Sequence, residues 1–247
     1  MKRRLILLMS SCLFCLGCAT DGAKLGDILA DAGTVLSETA GSSGNPLGSD
    51  EITRGLKEAL ATGSNIVVSQ LGQANGFSDD PAVRIPLPES LQKARKFAAR
   101  VGLDKSFNDL EDRLNKAAEE ATPKARDLFL GAISSMSVTD AKDILRGSDN
   151  AATQYFRDKT GDKLQAQMRP IVDSALSQVG AVSKFNELLA SYNSIPLAPK
   201  VDADLTGHVV KEGSDGIFYY LAQEEKAIRD NPLKRTSTLL QRVFGNQ

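Results

Sequence analysis

The sequence contains no tryptophan, one histidine and three cysteines among its 247 residues. All three cysteines, Cys12, Cys15 and Cys18, lie near the N-terminus, so the rest of the chain can form neither a disulfide nor a thiolate metal site. The one histidine, His208, has no second histidine or cysteine with which to share a transition metal. A serine triad would need this same histidine as its base, and we predict no catalytic residues, no metal and no cofactor.

A large excess of charge of one sign is also absent. The chain carries 30 basic and 31 acidic residues, and removal of residues 1–17, with three basic side chains and no acid, would move the net charge from −1 to −4. Such a chain has no basic footprint, so we predict no nucleic-acid partner. Aromatic residues make up only 5% of the sequence, and alanine, leucine, lysine and the acids are abundant. This composition favours an all-α fold over a β-sandwich or barrel.

The N-terminus is typical of an export signal. The basic MKRR precedes the apolar stretch LILLMSSCLFCLG, which is too short to span a bilayer stably. The stretch ends in Leu16-Gly17-Cys18-Ala19, which resembles a bacterial lipobox, although Cys15 and Leu16 depart from its usual residues. Because no small-x-small site for ordinary signal cleavage precedes Cys18, we predict that this residue is lipidated. Ala19 favours sorting to the periplasmic face of the outer membrane.

The predicted organisation has three parts: a signal peptide (1–17), a lipidated tether with one short helix (18–49) and an all-helical periplasmic domain (50–247). The tether helix is predicted from apolar residues at helical spacing between Leu25 and Leu36. Its polar face carries Asp27, Asp31 and Glu38, the wrong charge for anionic lipid. Docking of this helix on the domain is therefore favoured over a position on the membrane.

Apolar periodicity predicts a single domain of eight to ten helices. A break with a new helix start is predicted at Thr122-Pro123, and breaks or kinks are predicted at Gly161 and Pro170. The segment Val83–Leu87 alternates apolar and other residues but contains proline, so we predict one short extended segment there and at most one edge strand.

Carboxylates are the best candidates for chemistry. Paired acids can perform acid and base steps on a glycan, but each pair also has a structural role at hand, such as capping a helix or forming a helical ion pair. The structural role is favoured. The pairs that lie on different helices and would have to converge are Glu119 with Glu120, Asp140 with Asp143, and Glu224 with Glu225.

Ser148, Asp149 and Asn150 join two predicted helices, and Ser148 or Asp149 is predicted to cap the second. Backbone amides at the start of that helix can bind an anion or a partner's carboxylate. Capping by Asp149 itself is the favoured interpretation, because it would occupy the same amides. The three residues remain a candidate interaction surface.

Basic residues cluster near the end of the last long helix, at Arg229, Lys234 and Arg235. Cations suit the dipole at a helix C-terminus, and binding to an acidic envelope polymer or a phospholipid headgroup is the alternative. Glu225 lies four residues before Arg229 and shares its helix face. We predict that Arg229 reaches inward to a carboxylate of another helix, such as Glu119, and forms a structural clasp.

Several segments resemble a bacterial lipoprotein family catalogued as domain of unknown function 4197. They are GLKEAL, IPLPESL, LNKAAEEATPKA, AISSMSVTDAKDILRGSDNAATQYF and DGIFYYLAQEEKAIRDNPLKRTSTLLQRVFG, in this order between Ile52 and Gly245. The resemblance implies an all-helical periplasmic domain behind a lipoprotein signal. It implies no reaction, ligand or catalytic residue.

The leading functional hypothesis is a lipid-anchored binding or scaffolding protein of the cell envelope. Its partners would be the membrane, through Cys18, and an envelope protein or polymer. Two alternatives remain open: a carboxylate-based hydrolase of an envelope glycan, and a carrier of an apolar ligand held between helices.

Overall fold

The computed structural model describes residues 47–139 and 141–245. This part of the chain contains eight α-helices. Two short 3₁₀ helices, Ala99–Val101 and Pro232–Lys234, accompany them, and no strand occurs in these residues. The predicted all-α fold of eight to ten helices is confirmed. The helices are α1 (Ser49–Leu71), α2 (Glu89–Ala98), α3 (Asp104–Ser135), α4 (Ala141–Leu145), α5 (Ala151–Gln178), α6 (Ala181–Asn193), α7 (Leu205–Asp230) and α8 (Thr238–Phe244).

The four long helices α1, α3, α5 and α7 pack on one another and enclose the core. Phe129 of α3, Phe156 of α5 and Phe218 of α7 meet at its centre, with ring centroids 5.8 to 6.4 Å apart. Leu56 and Leu60 of α1 are fully buried beside the other long helices. Tilted and edge-on aromatic contacts of this kind stabilise the core beyond the area they bury.

The predicted break at Thr122-Pro123 is wrong, because α3 runs without interruption from Asp104 to Ser135. Proline removes one helical hydrogen bond, and the neighbouring Thr122 hydroxyl donates to the Ala118 carbonyl at 2.7 Å. Buried Ala121 and Ala125 lie on either side of the proline. Burial of this continuous seam outweighs the lost hydrogen bond.

Of the breaks or kinks predicted at Gly161 and Pro170, the breaks are wrong, since α5 is continuous from Ala151 to Gln178. Its apolar seam runs through both positions, and Leu164, Met168 and Val172 are buried. A proline inside a helix costs about 3 kcal/mol, and each fully buried large apolar side chain recovers about 1.5–3 kcal/mol. Tertiary burial thus overrides the local breaking signal.

The segment Val83–Leu87, predicted to be extended, forms no strand: Val83 belongs to a turn, and residues 84–87 have no regular secondary structure. Val83, Ile85 and Leu87 point into the core. The fully buried side chain of Asn115 takes the place of a neighbouring strand: its Oδ1 accepts from the Ile85 amide at 2.8 Å, and its Nδ2 donates to the Ile85 carbonyl at 2.8 Å. One side chain on α3 therefore satisfies both backbone groups of Ile85.

Several predictions fall on residues that the structure does not describe. The signal peptide, the lipidation site Cys18, the tether helix and the carboxylate of Asp140 lie outside the described residues. Among the helices that are described, none combines the length and the apolar character needed to cross a bilayer.

Candidate functional site

Glu225 and Arg229 on α7 form a buried ion pair. Only 2% of Glu225 and 8% of Arg229 is exposed. Arg229 donates from Nη2 and Nε to Glu225 Oε1 at 2.7 and 3.0 Å. The prediction that Arg229 turns inward is confirmed. A buried pair of this kind needs further hydrogen bonds to offset its desolvation.

Arg229 obtains those hydrogen bonds from α4. Its Nη1 donates to the Leu145 carbonyl at 2.7 Å and its Nη2 to the Ile144 carbonyl at 3.2 Å. These carbonyls lie at the end of a five-residue helix, and the Ile144 carbonyl also accepts from the Gly147 amide at 3.2 Å. The guanidinium carbon also lies 5.5 Å from the ring centroid of Phe244 on α8. Arg229 therefore holds α4, α7 and α8 together.

Glu225 caps the first turn of α5. Its Oε1 accepts from the Ala152 amide at 3.0 Å, and its Oε2 accepts from the Thr153 amide at 2.7 Å and the Thr153 hydroxyl at 2.6 Å. The N-cap residue Asn150 supplies no capping side chain. We call the ion pair together with its partners on α4 and α5 the clasp. The Glu225 carboxylate therefore occupies the α5 N-terminus, which the sequence indicated as a possible anion site.

Capping of α5 by Ser148 or Asp149 is therefore wrong. Asp149 is instead paired with Lys226 of α7, and the hydrogen bond from this lysine lowers the pKa of the Asp149 carboxyl. Ser148 donates to Asn150 Oδ1 at 3.1 Å. The exposed loop is thus tied to α7, while a carboxylate remote in sequence satisfies the helix amides.

Glu119, named as a possible partner of Arg229, lies elsewhere. Its Oε1 accepts from the Phe77 amide at 3.2 Å, the Ser78 amide at 3.0 Å and the Ser78 hydroxyl at 2.8 Å. The expected contact with Arg229 is wrong because Glu119 is needed by the turn that follows α1. Both buried carboxylates, Glu119 and Glu225, are therefore used as acceptors for backbone amides.

The predicted basic cluster does not present three free cations. Arg229 is buried, and Arg235 donates to the carbonyls of Ile228 at 3.0 Å and Arg229 at 2.6 Å, where it caps the end of α7. Lys234 is exposed and lies 3.3 Å from Glu224. Binding of a partner by these residues stays a prediction.

The remaining candidate, His208, contacts the backbone of a segment remote in sequence. His208 Nε2 lies 2.7 Å from the Pro86 carbonyl, so the ring fastens α7 to the extended segment. Within the described residues, no three metal-ligating side chains lie close enough to hold an ion.

Two open grooves were missed by sequence reasoning, because each is lined by residues that lie far apart in the sequence. The first, which we call the apolar groove, has a volume of about 620 Å³ and lies between α3 and α5. Its apolar lining comes from Leu128, Ala132, Met136, Tyr155 and Leu164.

The second groove has a volume of about 470 Å³ and is bounded by Ala82–Arg84, the first turns of α5, and α7. We call it the polar groove. Arg84 is fixed at its edge by Glu111 at 3.1 Å and Asp112 at 3.0 Å. On the opposite side Arg157 pairs with Asp215. The charges of this groove are thus largely neutralised within the domain.

Comparison with known protein families decides the relationship. Residues 46–245 match the model of a family described as protein of unknown function DUF4197. The chain belongs to this family. The match covers all eight helices of the DUF4197 domain and confirms the resemblance drawn from the sequence. Neither the curated proteins nor the solved structures gave a match. The function of the DUF4197 domain must therefore be inferred from its own geometry.

Proposed function

We propose that this chain is a lipid-anchored binding module of the cell envelope that docks partner proteins in the apolar groove. The anchor rests on the N-terminal sequence, in which a basic segment and an apolar stretch lead to Cys18. Several acyl chains on one cysteine would make attachment effectively permanent, since each buried methylene contributes about 0.8 kcal/mol. The proposed location is the periplasmic face of the outer membrane.

The observation that carries the binding role is Gly131, a glycine inside α3 on the wall of the apolar groove. A Cβ atom added there would meet nothing within 4 Å. Glycine within a helix destabilises it by about 0.5–1 kcal/mol relative to alanine. No packing contact within the described residues accounts for this cost, but a partner whose backbone approaches α3 closely would.

The dimensions of the apolar groove suit a helix. The lining extends from Asp127 to Ser135 along α3 and from Tyr155 to Gln167 along α5. At 1.5 Å per residue these walls are about 12 and 18 Å long, or two to three helical turns. Small residues at Gly131, Ala132 and Ser135 would let a partner helix approach, and its apolar face would cover Leu128 and Met136.

The charge of the apolar groove favours an acidic partner. Lys159 and Lys163 line it and form no ion pair with another described residue; Lys159 Nζ lies 5.6 Å from the ring centroid of Tyr155. Among the described lining residues Asp127 is the one acid, so these three charged side chains together carry a net positive charge. The proposed occupant is an amphipathic helix of an envelope protein with acidic residues beside its apolar face.

Two synthetic helical peptides with the same leucine face, one flanked by glutamate and one by lysine, test this docking. Fluorescence anisotropy should show at least tenfold tighter binding of the glutamate peptide by the domain. Lys159→Glu combined with Lys163→Glu should remove that preference, whereas Lys116→Glu, an exposed change on α3 outside the groove, should leave it intact. Equal affinities for the two peptides, or a preference that survives the double substitution, would contradict the proposal.

The anchor is tested separately in cells. Cys18→Ser should abolish labelling by a fatty-acid analogue and leave the protein unprocessed or soluble. A mature N-terminus at any residue other than Cys18 would overturn the lipid anchor without affecting the peptide result.

A further inference from the structure

The polar groove takes no part in the proposed docking of a helix. Its four charged side chains are balanced, with Arg84 and Arg157 against Glu212 and Asp215. Each of the four already has a partner inside the domain. The two arginines are paired as described above, and Lys211 lies 2.8 Å from Glu212 and 3.2 Å from Asp215. The groove therefore offers no free charge to an ionic ligand.

The unused hydrogen-bonding capacity of the polar groove belongs to neutral amides. Asn150 Oδ1 accepts from Gln154 Nε2 at 2.9 Å, but Asn150 Nδ2 and Gln154 Oε1 have no partner among the described residues. The side-chain amide of Gln223 likewise makes no hydrogen bond within residues 47–139 and 141–245. Amide side chains both donate and accept, which matches ligands whose groups do the same.

An aromatic ring completes the wall. Tyr219 lies in the groove and is 46% exposed. Its ring is supported edge-on by Tyr220, with centroids 5.2 Å apart and planes at 80°. Tyr220 is in turn held by donating its hydroxyl to Asp80, a hydrogen bond that raises the pKa of Tyr220 to about 12. The exposed phenol ring is thus fixed in place and presents an apolar face.

We propose that the polar groove is a binding subsite for a neutral oligosaccharide. Sugar hydroxyls donate and accept, as the three amides require, and the C–H face of a pyranose ring packs on an aromatic face. The balanced charges disfavour a phosphate or a uronate, because Arg84 and Arg157 are already paired with carboxylates and are not free to bind an anion. The groove volume of about 470 Å³ is within the range of small-molecule sites. This subsite does not depend on the docking of a helix in the apolar groove.

Titrations with three trisaccharides test the proposal on the folded domain. The probes are maltotriose, triacetylchitotriose and trigalacturonate, the last being a charged sugar of similar size. Isothermal titration calorimetry should detect at least one of the neutral sugars and find trigalacturonate at least tenfold weaker. Tyr219→Ala should weaken the neutral sugar at least tenfold, and Gln223→Ala should weaken it several-fold.

The matched control is Phe97→Ala, which removes an aromatic side chain that is 41% exposed and lies outside both grooves. It should leave the affinity unchanged, and thermal unfolding should show that each variant remains folded. Absence of binding by both neutral sugars, stronger binding of trigalacturonate, or equal losses for Tyr219→Ala and Phe97→Ala would each overturn the subsite.

Discussion

The clasp and the apolar groove both involve α5, but they differ in whether their charged side chains have partners within the domain. In the clasp, Glu225 and Arg229 are buried, and each makes several hydrogen bonds within the domain. In the apolar groove, Lys159 and Lys163 are exposed and form no ion pair with another described residue. The difference teaches where to look for function in this domain: groups whose partners lie inside the chain stabilise the fold, and groups left with capacity are available for recognition.

The largest expected effect is at the clasp. Arg229→Ala should lower the free energy of unfolding by about 3–5 kcal/mol, because it leaves the Glu225 carboxylate buried and without its cation. The neighbouring cation Lys234, exposed and paired with Glu224, provides the control, and Lys234→Ala should cost no more than about 0.5 kcal/mol. Urea unfolding measures both. If the two variants lost similar stability, the clasp would be no more than a surface ion pair.

Adjacent residues on α3 give the next largest contrast. Glu119→Ala should destabilise the domain by about 2–3 kcal/mol, since it leaves the buried amide of Phe77 and the partly buried amide of Ser78 without this acceptor. Glu120 is exposed, and Glu120→Ala should change stability by no more than about 0.5 kcal/mol. A comparable loss for both would show that Glu119 serves something other than this turn.

Two helical glycines sharpen the comparison further. At Gly55 in α1 an added Cβ would lie 2.6 Å from Val243 Cγ2, so Gly55→Ala should destabilise by about 1–3 kcal/mol through overpacking. At Gly131 nothing lies within 4 Å, so Gly131→Ala should stabilise by about 0.5–1 kcal/mol. The same substitution should lower the affinity of the domain for the glutamate-flanked peptide. A destabilised Gly131→Ala domain would mean that this glycine is kept for the fold itself.

The sequence predicted the helices and the inward turn of Arg229, because apolar periodicity and four-residue spacing are local signals. It assigned the wrong partners to the buried charges. The capping of α5 by Glu225 links residues more than 70 positions apart, and nothing in the chain near Ala152 indicates it. The helix breaks predicted at Pro123 and Pro170 were wrong for a related reason. Apolar residues on both sides of each proline are buried by other helices, and this tertiary effect cannot be read from the proline itself.

The two grooves could not be predicted for a different reason. Their lining residues are ordinary members of helix surfaces, and only the packing of α3, α5 and α7 brings them together. Gly131 alone carried a local signal, as a glycine within an apolar seam, but its meaning depends on the empty space beside it. The sequence resemblance to the DUF4197 family supplied the fold and no site.

Native-state hydrogen exchange at the start of α5 tests the central claim, that the clasp closes this helix end from within. Amides in the first turn of a helix have no helical partner and usually exchange quickly. Because Glu225 binds the Ala152 and Thr153 amides, they should exchange at least a hundredfold more slowly than the Ser90 amide in the first turn of α2, which has no capping side chain. Glu225→Gln should reduce this protection, because glutamine keeps only one acceptor oxygen for the two amides. Equally fast exchange at Ala152 and Ser90 in the unmodified protein would contradict capping by Glu225. The α5 N-terminus would then again be a candidate ligand site.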